Sequence, residues 1–179
     1  MTEQTTQKKY ELLKDDTVEH LGRTLYRIKA LITFGLVGAG QLGGYIETEK
    51  NLDHSGNAWV YDNARVYGNA RVCGNARVYG NAWVYDNARV YDNARVYGNA
   101  RVRYFAVISE RKMIFWASNV GSENGTLTVF NGKFGLIVTR GCFTGTVDEF
   151  LSKSKEVHDD KTHHEYKLLI EVAQSRILN

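Results

Sequence analysis

From Ser55 to Val102 the chain repeats itself every six residues, reading SGNAWV, YDNARV, YGNARV, CGNARV, YGNAWV, YDNARV, YDNARV and YGNARV. Each unit offers two apolar side chains small enough for a narrow interior: a valine (Val60, Val66, Val72, Val78, Val84, Val90, Val96, Val102) and an alanine (Ala58, Ala64, Ala70, Ala76, Ala82, Ala88, Ala94, Ala100). A period of six cannot be one face of an α-helix, because at about 3.6 residues per turn the valines would walk around the cylinder. A meander of hairpins would have to turn after every short strand, with no room to pair. The pattern is met by a short strand Arg-Val-Tyr, with Val inward and its neighbours outward, followed by a corner at Gly/Asp-Asn. Each unit is then one side of a polygonal coil, and the whole is a parallel β-solenoid. The asparagine of every unit (Asn57, Asn63, Asn69, Asn75, Asn81, Asn87, Asn93, Asn99) is expected to take the left-handed backbone of the corner. The chain has no proline, so its turns rest on Gly, Asn and Asp.

The six-residue step continues beyond the obvious units. Downstream, Ala106 and Ile108, then Ile114 and Val120, keep the frame of Val102; upstream, Ile46 and Leu52 are six apart, with a two-residue insertion before Val60. The mainly β chain therefore divides into an N-terminal β cap at residues 1–41, a repeat solenoid at 42–116 and a C-terminal α+β module at 117–179. Irregular ends are needed to cover open strand edges. In the first segment we expect a hairpin of Tyr10 to Leu13 and Thr24 to Phe34 around a polar turn at Lys14 to Gly22, with Tyr26, Ile28, Ala30 and Ile32 on one face. In the last, strand-like runs at Met113 to Ala117, Thr126 to Phe130 and Phe134 to Thr139 flank an Asn131-Gly132 turn signal. Two helices follow, each opened by a capping box, Thr146 with Glu149 and Thr162 with Glu165. Tyr166, Leu169, Ile170, Ala173 and Ile177 form the apolar stripe of the second.

Written from its valine, the unit V-Y-[GD]-N-A-[RW] resembles the hexapeptide repeat of left-handed parallel β-helices. That resemblance implies a left-handed coil of triangular section with three units per turn, so the eight units make about two and two-thirds coils, roughly 13 Å of stack at about 4.8 Å per strand. The layout is similar to that of phage and prophage hexapeptide-repeat proteins. The matching segments are Leu42-Gly-Gly-Tyr-Ile-Glu47, Gly121-Ser-Glu-Asn124 and Gly141-Cys-Phe-Thr-Gly-Thr-Val-Asp-Glu-Phe150. The resemblance implies a phage-borne protein of the bacterial host cytosol, in a family with no settled biochemical role.

Composition excludes more than it assigns. No apolar run approaches the ~18 residues of a membrane span, and the N-terminus lacks the apolar core of a signal peptide. Cys73 and Cys142 lie far apart without neighbours at metal-ligand spacing, which fits a reduced compartment and no zinc. No cofactor or metal is expected. The glycines of Gly38-Ala-Gly40-Gln-Leu-Gly43 match a dinucleotide fingerprint, but the required helix cannot follow them, because the chain runs straight into the solenoid. His158, His163 and His164 with Asp159, Asp160 and Glu165 have ligand chemistry yet sit where a polar helix connection is expected. Cys142 has no evident base partner and reads as a buried structural thiol. Many left-handed hexapeptide helices are acyltransferases with a coil histidine as general base, and His54 is the only histidine expected near the coils.

The outward positions carry the functional expectation. At a three-unit step Tyr61, Tyr79 and Tyr97 share one column and Tyr67 and Tyr85 another, while Arg65 and Arg101, Arg71 and Arg89, and Arg77 and Arg95 share columns across the same valines. Trp59 and Trp83 replace arginine in two of them. Guanidinium forks beside aromatic rings suit phosphates and bases, which marks Arg65, Arg77, Tyr79, Trp83, Arg95, Tyr97 and Arg101 as candidate ligand-binding residues. The same columns would also serve as contacts between subunits. The expected protein is a non-enzymatic, homo-oligomeric binding protein, a homotrimer, that sequesters a phosphorylated or nucleotide-like signal as an anti-defence device. Nucleic acid is a weaker partner at a net charge of only +3. The alternatives are a hexapeptide-type acyltransferase and a structural trimerisation spacer.

Overall fold

The structure is a computed structural model that describes residues 7–179. Two long strands, β1 (Tyr10–His20) and β2 (Arg23–Ala30), precede β3 (Leu42–Ile46). The repeats contribute one two-residue strand each, β4 to β11: Trp59–Val60, Arg65–Val66, Arg71–Val72, Arg77–Val78, Trp83–Val84, Arg89–Val90, Arg95–Val96 and Arg101–Val102. A ninth short strand, β12 (Val107–Ile108), follows without the repeat sequence. These strands stack in three parallel sheets, β3-β5-β8-β11 as a first face, β4-β7-β10 as a second and β6-β9-β12 as a third. The chain is thus mainly β, a solenoid of about four turns with two helices at its C-terminal end. Register is uniform: Val66 lies on Val84 and Val84 on Val102, so vertical neighbours are 18 residues apart.

The interior is the expected valine and alanine stack, extended by Ile46, Leu52, Ala106 and Ile108, none more than 1% exposed. The corners correct one expectation. The residue in the left-handed region is the Gly or Asp of each unit (Gly56, Gly68, Gly74, Gly80 and Gly98; Asp62, Asp86 and Asp92), and no repeat asparagine has positive φ. Only Gly, Asn and Asp take that backbone cheaply, which explains why this position alternates between two of them. The asparagines instead form side-chain ladders between coils, as Asn57 Nδ2 donates to Asn75 Oδ1 (3.2 Å) and Asn69 Nδ2 to Asn87 Oδ1 (3.3 Å).

The N-terminal strands also differ from expectation. The turn between β1 and β2 is Leu21-Gly22, both at positive φ, the two-residue geometry whose twist suits a hairpin. The polar stretch from Lys14 is strand, interrupted by an irregularity between Leu13 and Thr17, and Asp16 there pairs with Arg27 Nε at 2.7 Å. The longer β1 carries His20 to the first face of the solenoid. β2 pairs antiparallel with β3, which continues the first sheet past its first coil. Gly43 and Gly44 permit this approach, since a Cβ on Gly43 would lie 2.5 Å from Ile28 and from the Val60 carbonyl. At the same end Lys9, 1% exposed, donates its ammonium to the Ala58 carbonyl (2.8 Å), and Asn51 Nδ2 donates to the carbonyls of Gly68 (3.1 Å) and Ala70 (3.0 Å). Burial pulls the Lys9 ammonium down to about 8, against a smaller opposing pull from Asp53.

At the other end stands an antiparallel sheet, β13 (Ile114–Val120), β14 (Gly125–Gly132), β15 (Gly135–Arg140) and β16 (Phe143–Thr146). The short β16, rich in Thr and Gly, had no strand signal in the sequence. The alternation of β14 gives each face its job: Leu127 and Val129 pack on the helices, while Phe130 joins the solenoid core and Thr128 Oγ1 accepts from Arg101 N (3.1 Å). Thr139 Oγ1 donates to the Arg101 carbonyl (2.8 Å). The six-residue frame ends at Ile108; Ile114 and Val120 belong to β13, and their spacing does not reflect another coil. α1 (Val147–Val157) opens with the Thr146 and Glu149 box, as expected. α2 (Asp160–Leu178) starts earlier than its expected box, because Asp159 is the N-cap and accepts from Thr162 N at 2.8 Å. Glu165 is thereby freed to accept from Gly121 N at 2.6 Å.

Candidate ligand-binding surface

Because Arg and Tyr flank an inward valine, both project from the same side of each strand, and the three faces of the solenoid carry three such surfaces. On the first face Trp83 lies between Arg65 and Arg101, whose guanidinium carbons sit 5.5 and 3.9 Å from its ring. Arg101 Nη1 also donates to the Asn81 carbonyl at 2.9 Å. Arg65 Nη1 donates to His20 Nδ1 (2.9 Å), and since arginine cannot accept, His20 must be the neutral tautomer with its proton on Nε2, given to Tyr67 Oη at 3.1 Å. Burial first, then Arg65 and Arg101, hold this imidazole below the ordinary histidine range. His20 thus reaches the coils together with His54, which corrects the expectation of a single coil histidine. The signal that could have found it is the alternation of β1 carried through its polar stretch.

The second face is different. Its column begins with Trp59, which is fully buried beneath Tyr10 and Phe34, and continues with Arg77 and Arg95. Arg77, Arg95 and Tyr79 line a cleft of about 260 Å³ with Tyr61, Asp62 and Leu36. Arg95, Tyr79 and Tyr97 also line an adjoining cleft of about 560 Å³, walled by Trp116 and Val172 and joined by Arg111 and Arg176. Neither Arg111 nor Arg176 was among the expected residues, since Arg111 follows the last short strand outside the repeat units, Arg176 comes from α2, and only the fold brings them to the repeat columns. Among the described residues none of these four arginines forms an ion pair. The tyrosines are less available than expected. Tyr79 and Tyr97 stack on each other (4.6 Å, 6°), and each has a further aromatic neighbour along the column, Tyr61 and Trp116 respectively.

The seven expected residues therefore fall on two faces, with Arg65, Trp83 and Arg101 on one and Arg77, Tyr79, Arg95 and Tyr97 on the other. The remaining candidates have structural partners. His54 stacks on Tyr10 (4.3 Å, 11°), accepts from Lys9 N through Nδ1 and meets Glu49 through Nε2. His158 and His163 both approach Ser154 Oγ at 3.2 Å, and no group of three potential metal ligands occurs among the described residues. Cys142 is exposed.

The chain is similar to the YdcK beta solenoid repeat, whose family model matches residues 58–73, 70–86, 82–96 and 88–104. Those matches lie within the stacked coils and span well under half of the chain. They agree with the structure in making this a repeat β-solenoid protein. No curated protein matches it. No helix is long and apolar enough to cross a membrane.

Proposed function

We propose that the protein is a non-enzymatic binding protein that holds a phosphorylated ligand in the groove of the second face. One observation carries the reading: Arg77, Arg95, Arg111 and Arg176 line two adjoining clefts and have no carboxylate partner among the described residues. One carboxylate, Asp62, lines the smaller cleft beyond ion-pair distance of these arginines, so the four guanidinium groups leave an excess of positive charge that a shared anion would relieve, and their planar forks match phosphate oxygens. The apolar wall of Trp116, Phe115 and Val172 would take the uncharged part of the ligand. A nucleotide-like signal has both parts, and in this reading a phage-type protein sequesters such a signal in a bacterial cytosol. In the same reading the coil is left-handed and of the hexapeptide class, the N-terminal hairpin caps it, and the protein is a homotrimer. The three units per turn support the hexapeptide class, and the pairing of β2 with β3 supports the cap.

Mass spectrometry of small molecules released from the purified protein should find a phosphorylated compound. Its affinity, measured by calorimetry, should fall with salt and drop about tenfold or more in Arg95→Ala. Unchanged affinity in a folded Arg95→Ala variant would remove the groove from the account. Light scattering that shows a stable monomer at micromolar concentration would remove the trimer.

A further inference from the structure

The tyrosine columns are not all complete. Tyr67 lies on Tyr85 at 4.9 Å and 7°, and Tyr79 on Tyr97 at 4.6 Å and 6°. On the third face the same 18-residue step reads Cys73, Tyr91, Ser109. The backbone there is in place, with Cys73 N donating to the Val90 carbonyl (3.1 Å) and Tyr91 N to the Ile108 carbonyl (3.0 Å). One ring is simply missing from the stack. Tyr91 has no aromatic partner among the described residues, unlike the other tyrosines of the repeats.

The gap opens into a cleft of about 680 Å³, a volume typical of small-molecule sites. Tyr91, Cys73 and Phe105 line it together with three cations, Arg71 and Arg89 from paired strands and Lys133 from the turn between β14 and β15. Asp53 and Asp92 are close enough to act on the charge of the Cys73 thiol, yet neither is within ion-pair distance of those cations. We infer that this cleft is a second binding site, for a nucleotide, whose base takes the place of the absent tyrosine ring on Tyr91 while its phosphates take Arg71, Arg89 and Lys133. Every base has a π-face, so the geometry selects the class and not the particular base. The site lies on a different face from the arginine groove and does not depend on that groove binding anything.

The chain itself supplies the decisive variant, since Cys73→Tyr restores the unit that its neighbours use. Calorimetry with ADP and GDP should show binding to the wild type and at least about tenfold weaker binding to Cys73→Tyr, which should melt no lower than the wild type. Pyrophosphate alone should bind at least about tenfold more weakly than either nucleotide, because it cannot stack. A second readout needs no variant to fold: either nucleotide should slow alkylation of Cys73 by iodoacetamide relative to the exposed Cys142. Undiminished affinity in a folded Cys73→Tyr, pyrophosphate binding equal to ADP, or unprotected Cys73 at millimolar nucleotide would each overturn the site. Binding lost in Arg95→Ala and retained in Cys73→Tyr would do the same, and would place the nucleotide in the groove of the second face.

Discussion

The first and second faces are built from the same outward letters, an arginine column with one tryptophan beside a tyrosine column, yet their arginines have opposite fates. On the first face Arg65 and Arg101 close on Trp83 and are held further by His20 and the Asn81 carbonyl. On the second, Trp59 stands at the end of the column under Tyr10 and Phe34, so Arg77 and Arg95 have no ring between them and face a groove. A repeat therefore sets where a side chain projects, while its availability is decided by the position of the exceptions and by what the flanks lay over them. The arginines of the first face belong to the stability of the solenoid, those of the second to its surroundings.

Four changes should break or sharpen this contrast. The largest effect is expected from Val78→Asp, which puts an unpaired carboxylate in the valine stack behind the second face; a cost of about 3–5 kcal/mol should remove both faces together. A melting curve like that of the wild type would mean that the interior is not the one described. Trp83→Ala should come next, at about 2–4 kcal/mol by urea denaturation, because two guanidinium groups and an imidazole lose the ring they pack on. Arg101→Ala should cost about 1–2 kcal/mol, against no more than about 0.5 for Arg95→Ala, and equal costs would erase the distinction between the faces.

The smallest effect is a pH dependence of the first face. His20 has a folded pKa below its ordinary value of about 6.5, so between those two values the unfolded chain binds a proton that the folded one refuses. Its contribution is complete above about pH 6.5 and is lost as the pH falls toward the folded value. Urea midpoints at pH 7.5 and 5.5 should differ more in the wild type than in His20→Gln, and an identical difference in both would clear His20.

The coils were legible because every unit states the same inward pair, and one period accounts for strand, corner and stack alike. The C-terminal helices were legible from the Thr146 box and the Tyr166 stripe. What sequence could not show was anything set by contact between distant segments. The polar run of β1 looks like a turn because its side chains face water, and only pairing with β2 makes it a strand that delivers His20. Asp159 competes with Thr162 for the same exposed amides, and three residues decide which of them caps α2. In the candidate site the repeat arginines were visible, whereas Arg111, Trp116 and Arg176 have no periodicity to mark them and matter only because the last coil ends beneath β13 and α2.

The 18-residue turn also fixes how such an array can change its length over generations. Gain or loss of three units inserts or removes one rung from every face and returns the C-terminal module to the same side, still seated on the strand that carries Arg101. Gain or loss of a single unit advances the end of the coil by one side of the triangle. Arg111, Trp116 and Arg176 would then stand over a different column, and the second face would lose half of its groove with no residue altered. Copying errors within a repetitive gene are thus sorted by arithmetic before any substitution is tested: whole turns lengthen or shorten the groove, and fractions of a turn dismantle it.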